Sequence, residues 1–544
     1  MEKFKIVVKT LKGLEDVLAT EIEALGGINI AIGTRMVSFI GDKALLYKAN
    51  LRLRTALRVL KPIATFEALN PDELYEQVKN IDWTRYIAPG QSLALDATVG
   101  GEAFRHSKFA LYRSKDAICD FFTERGDKRP TISIAGADIL INLHINETEC
   151  TLSLDSSGEP LQKRGYKVQQ TDAPISEVLA AGILLKAGWN GERDLCDPMC
   201  GSGTFLIEAA LIATNTPAGI CRTDFGFEHW QVGDLAFDEE LWHEIYNDDS
   251  SEREFTHHIY GSDLSKPAIE AATANIKAAG MSKYISLEMK DFETITKAPS
   301  EGCLMVCNPP YGKRLYTDIP TFYEMMGTVL KRAFQGCEAW IIATEEEPFK
   351  YIGLKPSVKL QMNNGGLDCE LRKYEMFSGR FNDFRAEGGQ LDKKVGEETD
   401  RFTRIHRKPF DKSTKERTEN KEGRGERKTF DRKPFDKERG ERKPFDKERK
   451  SFDKEKNDRK SFDRDRKPFD RERKSFDKKG KNSGAEKYEH RGNFRRNHNG
   501  EIEEREGAFR ARGERKFNPD RPMFHKNFDY TKNVLDFSQS EEEN

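Results

Sequence analysis

Residues 194–210 read Asp194-Leu195-Cys196-Asp197-Pro198-Met199-Cys200-Gly201-Ser202-Gly203-Thr204-Phe205-Leu206-Ile207-Glu208-Ala209-Ala210. The stretch predicts a short strand ending in an acid, a turn holding two glycines, and an apolar helix. Glycines at 201 and 203 let the backbone approach a ligand, and the helix N-terminus that follows presents free N–H groups. The pattern is not a P-loop, which needs Gly-Lys-[Ser/Thr], nor the dinucleotide fingerprint, because Phe205-Leu206 stand where the third glycine would be. Taken alone it reads as a nucleotide-like cofactor site, or as a plain strand–turn–helix corner.

Downstream, strand and helix alternate. Strands are predicted at His258–Ser262, Ile285–Met289, Cys303–Cys307 and Ala339–Thr344, with helices at Lys266–Ala279 and Thr321–Ala333, and a further helix at Ser176–Ala187 precedes the glycine turn. That spacing is βαβ, so this region is an α/β domain with a largely parallel sheet. Asp263 and Asp291-Phe292 fall at the ends of the next two strands, where a carboxylate meets ribose hydroxyls and a carboxylate with a ring meets an adenine. Either acid would also serve as a helix cap. Asp263 lies 60 residues past Gly203, against ~20 in a dinucleotide fold, which argues against NAD. Residues 214–257, with Trp230 and Trp242, read as an insertion.

The motif that narrows the chemistry is Cys307-Asn308-Pro309-Pro310-Tyr311-Gly312. Two prolines in a row cannot continue a sheet ladder, so they end the strand and leave the Asn308 side chain and the Pro309 carbonyl facing the crevice as acceptors. The exocyclic amine of a base is a weak nucleophile because its lone pair is conjugated with the ring. Two acceptors on its N–H bonds localise and aim that lone pair, and Tyr311 supplies a face for the base. An amide is no base at neutral pH, so the contribution is orientation and electrostatics, which is sufficient in kind at up to ~7–11 kcal/mol.

Toward the N-terminus the pattern changes to single helices among strands: strand Phe4–Lys9, a helix ended by Gly26-Gly27, strand Met36–Ile40, helix Asp42–Lys48, strand Ala56–Phe66, helix Glu73–Lys79, strand Ser92–Val99, helix Ser114–Glu124, then strands Thr131–Ala135, Ile139–Ile145 and Cys150–Ser156. Small α+β domains are expected. Nine cysteines without a CxxC pair or a histidine cluster at zinc spacing read as buried, reduced thiols, and no metal is expected. No run reaches the ~20 apolar residues of a membrane span, and no secretory leader is expected, so a cytoplasmic protein is anticipated.

Charge divides the chain. The 90 Lys+Arg and 92 Asp+Glu give −2 overall, but residues 401–544 carry 45 and 32, a net of +13, which leaves −15 for residues 1–400. Residues 408–479 repeat a degenerate Lys-[Pro/Ser/Thr]-Phe-Asp-[Lys/Arg] unit whose lone Phe has almost no aliphatic partner, so a tail over 388–544 is expected to be disordered and to bind RNA non-specifically or simply to solubilise.

With these motifs in place, residues 1–385 resemble the bacterial THUMP-domain methyltransferases that modify the exocyclic N2 of guanine in large-subunit (23S) ribosomal RNA, in their single-catalytic-domain form. The opening Leu11-Lys12-Gly13-Leu14-Glu15 with Leu25-Gly26 is similar to the family's ferredoxin-like domain, and Pro71–Asp155, with Ile81-Asp82-Trp83 and residues 115–120, is similar to its THUMP module. Leu161-Gln162-Lys163-Arg164-Gly165-Tyr166 departs from the family in Gln162, where relatives usually have His. The resemblance implies a Rossmann-like class I methyltransferase domain (161–387) behind ferredoxin-like (1–60) and THUMP (61–160) domains. It implies S-adenosylmethionine as cofactor, held by Asp197, Pro198, Gly201, Gly203, Thr204, Asp263, Asp291 and Phe292. Catalysis would fall to Asn308, Pro309, Pro310 and Tyr311, and RNA contacts to Lys313, Arg314, Arg113 and Lys115, with Arg52, Arg54, Arg58, Arg105 and Lys108 as further candidates. The implied partner is ribosomal RNA or a large-subunit precursor. Alternatives are an N6-adenine methyltransferase acting on RNA or DNA, and an RNA chaperone or ribosome assembly factor with a vestigial site.

Overall fold

The computed structural model describes residues 2–133, 136–171, 174–310, 318–344 and 346–377, with the pairs 495–496 and 502–503. The first part of the chain forms β1 (Phe4–Lys9), α1 (Glu15–Ala24), β2 (Ile28–Gly33), β3 (Met36–Gly41), α2 (Lys43–Arg52), β4 (Arg58–Glu67), α3 (Pro71–Lys79), β5 (Ser92–Gly100), α4 (Ser107–Glu124), β6 (Thr131–Ile132), β7 (Ile139–Asn146) and β8 (Glu149–Asp155). Local chemistry fixes several boundaries. Asp42 caps α2 by accepting from Leu45 N–H, and Asn70 caps α3 just ahead of Pro71, whose missing N–H costs nothing at a first helical position.

The small separate domains expected here share one sheet. Eight strands run in the order β2-β3-β1-β4-β8-β7-β5-β6. The join is β4, which is ten residues long: its start pairs with β1 through Arg58–Leu60, and from Leu60 onward it pairs with β8. The register slips between Pro62 and Ala64, where proline offers no N–H to the ladder. A single apolar core joins Ile6 and Val8 of β1 to Ile141 and Leu143 of β7, with Leu18 and Ile22 from α1 and Leu74 and Val78 from α3. Two elements depart from expectation. β2 was hidden because none of its residues is buried and they show no clean alternation, and α4 starts seven residues early because exposed Phe109 and Tyr112 break the apolar period.

The second part comprises α5 (Glu177–Lys186), β9 (Leu195–Asp197), α6 (Thr204–Ala213), α7 (Glu239–Asn247), β10 (Ile259–Asp263), α8 (Lys266–Ala278), β11 (Ile285–Met289), β12 (Leu304–Cys307), α9 (Ile319–Ala333), β13 (Glu338–Thr344), α10 (Glu346–Phe349), β14 (Val358–Asn364) and β15 (Leu367–Glu375). Its seven strands are ordered β11-β10-β9-β12-β13-β15-β14. The pairs among β11, β10, β9, β12 and β13 are parallel, and β15 is antiparallel to both of its neighbours. This Rossmann-like arrangement confirms the expected α/β class and adds the closing β14–β15 hairpin. From β9 the chain builds outward to β11 and then returns to place β12 on the other side. The reversal opens a crevice between the carboxyl ends of β9 and β12, where such sheets bind ligands.

The insertion divides its apolar residues: Phe255 packs on Trp189 in the core of the parallel sheet, and the larger group goes elsewhere. Its Phe225, Phe227, Trp230, Trp242 and Ile245 are buried in the core of the N-terminal sheet. Phe227 stacks on Tyr47 of α2 at 4.2 Å, and Trp242 meets Phe227 edge-on at 5.0 Å. The linker is buried as well: Arg164 and Tyr166 both reach Glu208 Oε1 on α6, at 3.4 and 2.8 Å. The cysteines are free and eight of the nine are buried, as expected. Among the described residues no helix is long and apolar enough to cross a membrane. Within the segment expected to lack structure, Arg495–Arg496 pairs antiparallel with Ile502–Glu503; the remainder of that expectation lies outside the described residues.

Candidate cofactor and acceptor site

The crevice holds a cavity of about 270 Å³, lined by Asp197, Pro198, Gly201, Thr204, Asp263, Asp291, Phe292, Asn308, Pro309 and Pro310 among others. Residues far apart in sequence meet there because each ends a parallel strand or begins the turn after it. Tyr311, Lys313 and Arg314 lie outside the described residues.

The loop after β9 is held from several sides. Cys200 N–H donates to Ser262 O at 3.0 Å, and Gly201 N–H donates to Asp263 Oδ2 at 2.9 Å. Asp263 Oδ1 accepts from Ser265 N–H at 2.9 Å, so this carboxylate buttresses the turn while keeping lone pairs for hydroxyl donors. Asp291 caps a short 3-10 turn through Glu293 N–H at 3.0 Å. The two glycines differ in role. Gly201 lines the cavity with φ +54°, whereas Gly203 does not: at φ +80° it caps α6, and a Cβ there would stand 3.2 Å from Ala272 Cβ on α8. Gly203 therefore permits the close approach of α6 and α8.

Asp197 is 1% exposed, accepts from Met199 N–H at 3.2 Å, and feels the charge of Asp263. Burial, reinforced by the like charge of Asp263, pushes its carboxyl up to about 8. Thr204 Oγ1 and Asn308 Oδ1 are buried with no partner among the described residues. Both residues line the cavity, where a ligand's donor would relieve the roughly 1–3 kcal/mol cost of an unmet buried acceptor. The thiols of Cys200 and Cys307 are pushed up by burial and by Asp197 and Asp263, and stay protonated, which makes neither a nucleophile.

These groups fit a methionine-bearing nucleoside cofactor. The start of α6 offers N–H groups and a hydroxyl for a carboxylate, Asp197 an acid for a cationic centre, Asp263 acceptors for ribose, and Asp291 with Phe292 an edge and a face for a base. Sequence reasoning missed Thr171, Pro174 and Ile175, which reach the cavity from the linker, as well as Leu264, Phe322 and Met325. Two of these carried a signal: Phe322 and Met325 are three apart on α9 and share a face.

The expected RNA contacts are unevenly supported. Arg113 pairs with Asp72 at 2.6 Å and lies 4.6 Å from the Tyr75 ring, while Lys115 pairs with Asp116 at 2.8 Å. Exposed Phe109 and Tyr112 lie beside them on α4. Three further candidates are structural. Arg54 is buried, with NH2 donating to Leu211 O and Thr216 O; Arg52 ties α2 to Asp248 O and Ser251 Oγ; Arg58 pairs with Asp155. Burial lowers Arg54 to about 10, still charged at neutral pH.

Fold and cavity together define an S-adenosylmethionine-dependent methyltransferase. A family described as RMKL-like, methyltransferase domain, matches residues 164–373, the RlmL ferredoxin-like domain matches residues 5–60, and the THUMP domain matches residues 68–155. The chain belongs to the RMKL-like RNA methyltransferases. It is 39% identical over 370 residues, 67% of its length and 95% of the relative's, to a putative RNA methyltransferase of Synechocystis sp.. It is 38% identical over 383 residues, 68% of its length, to the ribosomal RNA large subunit methyltransferase K/L of Syntrophotalea carbinolica, and spans 53% of that protein. Among solved structures, SMU.472, a putative methyltransferase complexed with SAH, is similar at 26% identity and TM-score 0.61 over 70% of this chain and 100% of its own. A predicted N6-adenine-specific DNA methylase from Listeria monocytogenes is similar at 29% identity and TM-score 0.62 over 69% of this chain and 97% of its own.

Proposed function

We propose that this protein methylates the exocyclic N2 amino group of a guanine in large-subunit ribosomal RNA. The observation that carries the reading is Asn308 Oδ1, a buried acceptor without a donor beside Pro309 and Pro310 in the cofactor cavity. In this reading Asp197, Pro198, Gly201 and Thr204 hold the methionine part of the cofactor, Asp263 its ribose, and Asp291 with Phe292 its adenine. When bound, the cofactor supplies an electrophilic methyl on a sulfonium. Asn308 accepts an N–H of the target amine and turns its lone pair toward that methyl, the prolines fix the acceptors, and Tyr311 stacks on the base. A base must leave its stack to reach Asn308, at a cost of a few kcal/mol. Residues 61–160 act as the RNA-binding module, with Arg113 and Lys115 and, after the site, Lys313 and Arg314 on phosphates. The kinship to a relative named for ribosomal RNA and the THUMP match favour RNA.

The second reading is adenine N6, since an Asn-Pro-Pro-Tyr site accepts any exocyclic amine and one similar structure is named for that activity. Purified protein, labelled S-adenosylmethionine and undermethylated ribosomal RNA decide it by nucleoside mass analysis. N2-methylguanosine is expected; N6-methyladenosine as the labelled product would replace the first reading with the second.

A further inference from the structure

Residues 168–171 run against the glycine turn without an anchor of their own. Val168, Gln169 and Gln170 are all exposed, Val168 at 46%, so no side-chain burial holds the backbone in place. Yet the segment ends at Thr171, which lines the cofactor cavity, and Thr171 Oγ1 lies 3.8 Å from where a Cβ on Gly201 would be.

What holds it is one amide. Asn275, on α8, is fully buried, and all its hydrogen-bonding capacity is used. Its Oδ1 accepts from Val168 N–H and Gln169 N–H, both at 2.9 Å. Its Nδ2 donates to Gln169 O at 2.8 Å and to Ser202 O, in the glycine turn, at 3.0 Å. One side chain thus fastens the exposed segment and the turn to each other, with α8 as the fixed support. Among the described residues the segment's other hydrogen bond, Val168 N–H to Tyr166 O at 3.0 Å, does not reach the turn.

We infer that Asn275 is a positioning residue for the cofactor: it sets the wall formed by Thr171 against the floor formed by Gly201 and Ser202 while touching no ligand itself. An apolar side chain of the same size would fill the space and leave the Gln169 N–H and C=O to water, with Val168 N–H tied only to Tyr166 O, so the segment would lose its place although the core stayed packed. The inference rests on the cofactor assignment of this cavity and not on which base is methylated.

The test measures S-adenosylhomocysteine binding by calorimetry on the full chain, alongside melting temperature. Asn275→Leu is expected to weaken binding at least tenfold, and to raise KM for S-adenosylmethionine with kcat at saturation within about threefold. Thr171→Gly is expected to weaken binding severalfold in the parent and to add nothing in Asn275→Leu, because the wall is already displaced. A purely structural role would lower the melting temperature, leave the dissociation constant within twofold and keep the Thr171 effect, which overturns the inference. Should Asn275→Leu fail to fold, Gln169→Pro removes one of the donors from an exposed position; an unchanged dissociation constant there also overturns it. Asp263→Ala separates the two levels. If it too leaves binding unchanged, the cavity assignment falls and this inference with it; if it abolishes binding while the Asn275 and Gln169 variants do not, only the inference falls.

Discussion

Asp197, on the cavity wall, is a residue whose chemistry departs far from its free form. Its carboxyl titrates near 3.8 in an unfolded chain and near 8 in the fold. Between those values the folded protein keeps a proton that the unfolded chain has lost, so this group's contribution to stability falls as pH rises from about 4 to about 8 and is level above that. Asp197→Asn should raise the melting temperature of the ligand-free protein at pH 8 and flatten its decline between pH 5 and 8, while weakening cofactor binding. A cationic ligand group beside Asp197 favours the carboxylate. S-adenosylhomocysteine binding at pH 7 should therefore release protons and tighten toward pH 8.5, and calorimetry in buffers of different ionisation heat would detect this. No change in affinity over that range would refute the assignment of Asp197 to a cationic part of the cofactor. At Asn308 the expectation concerns rate: Asn308→Ala should slow methyl transfer by roughly 10²–10³-fold, the range seen when one preorganised polar group is removed, with cofactor affinity within about threefold. Equal losses in rate and affinity would place Asn308 in cofactor binding instead.

Among the elements, α6 and α8 approach each other at Gly203. Gly203→Ala brings a Cβ to 3.2 Å from Ala272 and forces an L-residue into a left-handed conformation. A loss of about 1–3 kcal/mol is expected, read as a lower denaturation midpoint. Two glycines in one turn look alike in sequence; the fold separates them, since Gly201 lines the cavity and a Cβ at Gly203 meets Ala272 on α8. Elsewhere the elements were legible where local chemistry was strong. Asn308-Pro309-Pro310 ends β12 by removing N–H donors, and acids at the ends of β9 and β10 declared the crevice. The strap at 168–171 left no such signal, because its partner Asn275 lies more than a hundred residues away and nothing in Val168-Gln169-Gln170 periodicity marks it. The β14–β15 hairpin was equally silent: β14 has a single buried residue, Met362, so no apolar alternation announces it.

At the scale of the whole molecule, the insertion behaves as part of the N-terminal core. Phe227→Ala should cost about 3–5 kcal/mol, like other large-to-small changes in a packed core, although this residue sits in sequence between two strands of the methyltransferase domain. Its footprint should appear as faster hydrogen exchange in α2 and α7, with β9 and β10 little changed. The basic tail belongs to this scale as well. If its Lys and Arg contact phosphate, removing residues 391–544 should flatten the salt dependence of RNA affinity, and an unchanged slope would leave the tail a solubilising segment.

The buried position of Phe225, Phe227, Trp230 and Trp242 also governs how such proteins can be recombined. The N-terminal module is contiguous in sequence only on paper, since its core is completed by residues drawn from beyond the glycine turn. A chimera spliced at Gly165, with the N-terminal module of one relative grafted onto the catalytic domain of another, would pair a foreign Tyr47 with a native Phe227. A workable graft has to carry two segments, the first 160 residues and the stretch from about 220 to 246.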